Sequence, residues 1–236
     1  MKICVLMDSK IISESMKFLT FLNSGCIEIC KNMLISAENV GINSNDFFIA
    51  CLDSKSFDAM KTYKGSFLYM EQELKEYQNW TFDSNSGFRN IVRHKWKLIK
   101  KIYEEHPNLI WVDTDIVFKE NPVEILSNHE EILFQSDKPG STLCTGFMVF
   151  NNTLECKKLV EECGNDESDD DQLILNRIAL QKYSDNIATL SEDLFPNGNV
   201  YYQQGKKENA MIVHNNWMVG VQTKIQKFKE ENLWYL

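Results

Sequence analysis

The sequence predicts an α/β domain, a largely parallel or mixed sheet flanked by helices. Three observations point there. Short apolar runs rich in β-branched and aromatic residues alternate with longer helical patterns. The most conspicuous polar residues (Asn23, Asp53, Asp113, Asp115, His214) fall at the carboxyl ends of those runs, where such folds bind ligands. A length of 236 residues, with only 4 Pro and 10 Gly and no low-complexity tract, fits a single domain without a long linker.

Residues 1–16 read as an N-terminal extension with one short strand, Ile3 to Met7, and residues 17–236 as the domain. Lys17 to Leu22 reads as a strand ending at Asn23-Ser24-Gly25. A helix is expected from Cys26 to Asn39, closed by Gly41. Phe47 to Leu52 is the next strand, ending at Asp53, and residues 54–86 give no clear pattern. A helix is expected from Phe88 to Glu105, with Pro107 just beyond it. Leu109 to Phe118 then reads as one strand buried on both faces. Ile132–Gln135 and Gly146–Phe150 read as further strands, and Leu154–Cys163 and Gln172–Gln181 as helices. Met211–Val213 reads as a short strand before His214, and Thr223–Glu231 as a last helix.

Composition excludes several classes. A net charge of −9 argues against a nucleic-acid backbone as the main partner. No apolar window approaches a membrane span, and the N-terminal apolar run is too short for a signal peptide, so a soluble, cytoplasmic protein is expected. Seven cysteines without a Cys-x-x-Cys pair read as reduced core thiols. Phosphate-loop, dinucleotide-fingerprint, nucleophile-elbow and zincin motifs are absent.

The chemistry concentrates in Asp113-Thr114-Asp115. On a strand, alternation points both carboxylates to one side. Two desolvated carboxylates repel unless a positive charge sits between them, and a divalent cation meets that need. The alternative is a strand end with solvated or capping carboxylates. Lys95 falls mid-stripe on the apolar face formed by Phe88, Ile91, Val92, Ile99, Ile102 and Tyr103, so it either snorkels or reaches a buried anion or carbonyl. His214 is a structural residue unless its strand ends beside Asp115. Asp, Asp and His together would suit Mn²⁺ or Mg²⁺, the histidine favouring Mn²⁺. The acidic run Asp166–Asp171 reads first as a helix cap, with Asp171-Gln172 adjoining the first apolar turn.

In order along the chain, several segments resemble one enzyme family. These are Phe18–Gly25, Phe48–Asp53, Lys95, Trp111–Val117, Gln135-Ser136-Asp137 with Thr145-Gly146-Phe147, Asp171-Gln172 with Asn176, and His214-Asn215-Asn216 with Gly220, Lys224 and Leu233-Trp234. They are similar to a nucleotide-diphospho-sugar transferase of GT-A fold, in the group that includes the rhamnogalacturonan xylosyltransferases. The resemblance implies sugar transfer from a nucleotide sugar, UDP-linked in that group, to an acceptor hydroxyl on a glycan or glycoprotein. It implies a metal held by Asp113, Asp115 and His214. Asn23, Ser24, Asp53, Lys95, Asp113, Thr114, Gly220 and Lys224 are expected at the nucleotide, with Asn23, Lys95 and Asp53 on base or ribose and Lys224 on the diphosphate. Asp137 and Asp171 are expected near the sugar, either serving as general base in an inverting reaction. A nucleotidyltransferase, or a non-catalytic nucleotide- or carbohydrate-binding module, are the rival readings.

Overall fold

The structure is a computed structural model, and it describes residues 16–63, 66–69, 85–127, 129–138 and 142–236. The strand expected at Ile3–Met7 lies outside the described residues.

The chain alternates strands and helices as the apolar pattern requires. The order is β1 (Lys17–Leu22), α1 (Ile27–Asn39), β2 (Phe47–Cys51), α2 (Ser54–Met60), β3 (Ser66–Tyr69), α3 (Asn85–Tyr103), β4 (Leu109–Val112) and β5 (Ile116–Phe118). It continues with α4 (Val123–Leu126), β6 (Ile132–Lys138), β7 (Thr142–Phe150), α5 (Leu154–Asn165), α6 (Asp171–Lys182), β8 (Ile187–Thr189), β9 (Ile212–His214) and α7 (Val221–Glu230). Seven strands form one sheet in the order β3-β2-β1-β4-β7-β6-β8. β1, β2, β3 and β4 run parallel, β7 runs antiparallel to both β4 and β6, and β8 is parallel to β6. The sheet is thus mixed and mostly parallel. β5 and β9 form a separate antiparallel pair.

Strand alternation divides the core in two. Phe18, Leu22, Ile110 and Val112 point to the face covered by α1, where Cys30, Met33 and Ala37 meet them. Leu19, Leu109 and Trp111 point to the other face, against Trp96 and Ile99 of α3, Leu159 of α5 and Ile174 of α6. A third cluster holds β5, β9 and α7 to α1 through Val117, Val213, Phe228 and Ile29. The cysteines among these residues are free thiols, as their apolar settings lead one to expect.

The helix starts are set by local hydrogen bonds. Thr153 accepts from the Cys156 N–H and Asp170 from the Leu173 N–H, capping α5 and α6. Asp53 and Ser56 form a reciprocal capping box on α2, a helix within the stretch left without a pattern. α3 begins three residues earlier than its periodicity suggests.

One expectation is corrected. Leu109–Phe118 is not a single strand. β4 ends at Val112, and Asp113-Thr114-Asp115 is a turn leading into β5 of the second sheet. The two carboxylates therefore owe their shared orientation to this turn, not to strand alternation. Among the described residues no helix is long and apolar enough to cross a membrane.

The C-terminal tail is tied back to α1. Buried Asn32 donates to the Leu233 carbonyl at 3.0 Å and accepts from the Tyr235 N–H at 2.7 Å. Asn32→Ala leaves both partners unsatisfied and is expected to cost about 2–4 kcal/mol in urea unfolding. A loss under about 0.5 kcal/mol would show that the tail does not depend on this clamp.

Candidate active site

The Asp-Thr-Asp turn is clamped from both sides. The Asp113 N–H donates to the Gly146 carbonyl at 2.8 Å, and the Asn215 N–H donates to the Asp115 carbonyl at 3.0 Å. The β5–β9 register sets His214 opposite Ile116, beside Asp115. As a result one oxygen each from Asp113 and Asp115 and a ring nitrogen of His214 lie within 4.8 Å of one another. Residues 100 positions apart in sequence thus form one donor set.

The tautomer of His214 follows from its neighbour. Buried Gln135 donates its amide N–H groups to the Phe195 and Pro196 carbonyls, at 3.1 and 3.0 Å. Its Oε1 must then face His214 Nδ1, 2.6 Å away, and accept the proton there. Nε2 is left pointing towards Asp115 Oδ1 at 3.5 Å, the orientation a metal ligand needs. Gly146 completes the cradle. A Cβ there would come within 2.1 Å of His214 Cε1 and 3.1 Å of Asp113 Oδ2, so no larger residue fits.

Two buried lysines neutralise the aspartates. Lys95 reaches a buried anion, as its place mid-stripe allows. Its Nζ lies 2.7 Å from Asp171 Oδ2, 3.1 Å from Asp113 Oδ1 and 3.1 Å from the Thr145 carbonyl. Trp111 Nε1 donates to the same Asp113 oxygen at 2.7 Å, and Thr145 Oγ1 donates to Asp171 at 2.7 Å. Asp113 therefore keeps Oδ1 for the protein and turns Oδ2 towards His214. Lys224 Nζ lies 2.5 Å from Asp115 Oδ2. At Lys95, Asp115 and His214 burial works against charge, and their partners outweigh it. Lys95 is raised by Asp113 and Asp171, and Asp115 is held well below the usual carboxylate range by Lys224 and His214. Asp115 in turn pushes His214 up to about 10.

These groups open onto a cavity of about 530 Å³. Phe21, Leu22, Leu52 and Val92 give it an apolar end, with Asn23 beside them. Asp137, Asp171, Gln172 and Asn216 line another part. Asp137 accepts from Gln172 at 3.3 Å and from Asn216 at 3.1 Å.

Most of the residues singled out in the sequence meet here: Asn23, Lys95, Asp113, Thr114, Asp115, Asp137, Asp171, His214 and Lys224 all line the cavity. Three do not. Asp53 is spent on structure, accepting from the Ser24 N–H at 2.7 Å and the Ser56 N–H at 2.7 Å. Burial opposes its ionisation, and these N–H groups still hold its pKa low. Asp53 and Ser24 thereby brace the Asn23 loop without reaching the cavity. Gly220 lies just behind the wall, where its φ of +88° lets the chain enter α7 one turn before Lys224. Lys95, expected at base or ribose, is instead committed to the two carboxylates. The part played by Gln135 was not legible in the sequence. The signals available were its place in the Gln135-Ser136-Asp137 segment that resembles the family and its position two residues before Asp137 on a strand.

The comparisons with known proteins bear on the family and the fold. Residues 43–228 match the family model described as nucleotide-diphospho-sugar transferase. The chain belongs to that family. A UDP-galactose:fucoside alpha-3-galactosyltransferase of Dictyostelium discoideum is 22% identical over 285 residues, covering 95% of this chain and 44% of that protein. A UDP-D-xylose:L-fucose alpha-1,3-D-xylosyltransferase of Arabidopsis thaliana is 26% identical over 184 residues, covering 64% of this chain and 51% of that one. The chain thus spans about half the length of these curated relatives. The crystal structure of mouse xyloside xylosyltransferase 1 in its apo form superposes with a TM-score of 0.54 at 10% identity, over 88% of this chain and 99% of that one. The shared architecture is the GT-A fold that the resemblance implied.

Two outcomes follow. Gln135→Leu frees the imidazole to rotate and is expected to weaken divalent-metal affinity about 10- to 100-fold in calorimetry. Unchanged affinity would remove Gln135 from the site. In the metal-free protein the pKa of His214 lies above its ordinary 6.5. The stability this contributes is full below that value and is lost as pH rises through about 10. A metal must displace that proton, so metal affinity should rise by up to about tenfold per pH unit between about 6.5 and 9, with proton release. An affinity that does not vary with pH would contradict this charge state.

Proposed function

We propose that the protein is a divalent-metal-dependent glycosyltransferase that moves a sugar from a UDP-sugar to an acceptor hydroxyl. The carrying observation is the convergence of Asp113, Asp115 and His214 on one wall of a cavity in a nucleotide-diphospho-sugar transferase fold. The donor set fits Mn²⁺ or Mg²⁺, and the imidazole favours Mn²⁺. Gly146 leaves space where the donor atoms face one another. The names of the relatives support UDP as carrier, galactose or xylose as the sugar, and a fucoside or similar glycan as the acceptor class.

The difficult step is departure of the sugar from the diphosphate, which leaves negative charge on the β-phosphate. The metal, when bound, supplies the Lewis acid that stabilises this charge. The chain does the rest. Lys224, at the cavity wall, adds a second positive contact to the leaving phosphate. The apolar end formed by Phe21, Leu22 and Leu52 takes the base, with Asn23 offering a polar edge. Asp171 is pinned by Lys95 and Thr145, so it is held still, suited to orienting sugar hydroxyls. Asp137, held by two side-chain amides, takes the proton of the acceptor hydroxyl as that oxygen bonds the anomeric carbon and the bond to the nucleoside diphosphate breaks.

Thermal unfolding with UDP, GDP, CMP and TMP, each with and without Mn²⁺, tests this reading. UDP at 100 times its dissociation constant adds about 2.7 kcal/mol, a rise of roughly 5–10 °C for this chain length. The shift should require Mn²⁺ and vanish in Asp115→Ala. Slow hydrolysis of UDP-galactose or UDP-xylose should accompany it. Binding without hydrolysis or transfer would favour the non-catalytic module, and no metal-dependent shift would overturn the site.

A further inference from the structure

The buried charges around the metal ligands are almost balanced without a metal. Asp113, Asp115 and Asp171 bring three negative charges, and Lys95 and Lys224 two positive ones, all in direct ion pairs. Leaving His214 aside, these five side chains keep one formal negative charge. A bare divalent ion would turn that into an excess of one positive charge among side chains of which Lys95, Asp115, His214 and Lys224 are buried. A nucleotide diphosphate arriving with the ion brings enough negative charge to reverse the excess.

The two lysines differ in what they can do about it. Lys95 is fixed by two carboxylates and a carbonyl and faces the ring of Trp111 at 5.1 Å. Lys224 stands on the first turn of α7, at the wall of the cavity, on one oxygen of Asp115. The other oxygen of that carboxylate faces His214 Nε2. A metal bound there and the Lys224 ammonium would share one carboxylate, and their repulsion is strong in a poorly solvated site.

We infer that Lys224 makes metal and diphosphate binding interdependent: it holds the charge of Asp115 in the metal-free protein, opposes a bare divalent cation, and favours the same cation when a diphosphate comes with it. This rests on the glycosyltransferase reading of the site. It adds that one residue acts in opposite directions on the two ligands. A lysine that only contacted phosphate would leave the affinity for metal alone untouched.

The test compares wild type, Lys224→Met and Lys224→Arg. Mn²⁺ binding is read by electron paramagnetic resonance with and without UDP, and UDP binding by calorimetry at saturating Mn²⁺. Wild type should bind Mn²⁺ at least tenfold more tightly when UDP is present. Lys224→Met should bind Mn²⁺ alone at least tenfold more tightly than wild type, yet bind UDP at least tenfold more weakly. Lys224→Arg, which keeps the charge, should keep weak binding of the bare ion. Unchanged or weaker binding of Mn²⁺ alone by Lys224→Met overturns the inference and leaves the proposed function standing. No Mn²⁺–UDP binding by wild type overturns both. Should Lys224→Met fail to fold without metal, Lys224→Gln takes its place, and unchanged or weaker binding of Mn²⁺ alone by that variant overturns the inference.

Discussion

The structure turns on holding two aspartates in place, each paired with a lysine, at the junction of two sheets. Asp113 and Asp115 sit on a turn that leaves β4 and enters β5, with Asp115 almost fully buried. Buried carboxylates are tolerated only when they are paired and hydrogen-bonded. Each has its own lysine, Lys95 from α3 and Lys224 from α7. Trp111 and the backbone of Gly146 and Asn215 fix the rest of the turn. Removing either lysine takes away an ion-pair partner of the aspartate it meets, which accounts for two charged side chains inside an otherwise apolar core.

The same requirement accounts for the chain path. β9 must pair with β5 so that His214 reaches Asp115, and α7 must follow at once so that Lys224 does too. Clamping the tail to α1 through Asn32 holds that last segment against the body of the domain. On the other side, β6 and β7 bring Gln135 and Gly146 beneath the imidazole. The candidate metal ligands, the side chains that orient them and the counter-ions thus come from the β4–β5 turn, β6, β7, β9, α3 and α7, segments far apart in sequence.

What was legible in the sequence had local physical causes. Lys17–Leu22 and Phe47–Cys51 declare themselves as strands by unbroken apolar runs, and α1 and α6 by helical spacing and terminal residues. Lys95 was legible in part: its place mid-stripe allowed either snorkelling or a buried anion, and the carboxylates it meets lie 18 and 76 positions away. The failures share a cause as well: they depend on contacts between distant segments. Leu109–Phe118 reads as one strand because nothing local shows that its second half pairs with β9 instead of continuing in the main sheet. Asp53 looks like a ligand residue because its partner Ser24 is 29 positions away. The roles of Gln135 and Gly146 exist only in relation to His214, and α2 hides behind a capping box in a stretch with little apolar periodicity.

The most direct measurement is a crystal structure of the protein with Mn²⁺ and UDP, collected at a wavelength where manganese scatters anomalously. The account predicts one strong anomalous peak bounded by Asp113 Oδ2, the Asp115 carboxylate and His214 Nε2, with His214 Nδ1 still donating to Gln135 and the diphosphate against Lys224. A peak away from these three side chains, or UDP bound in the cavity with no metal at all, would contradict it.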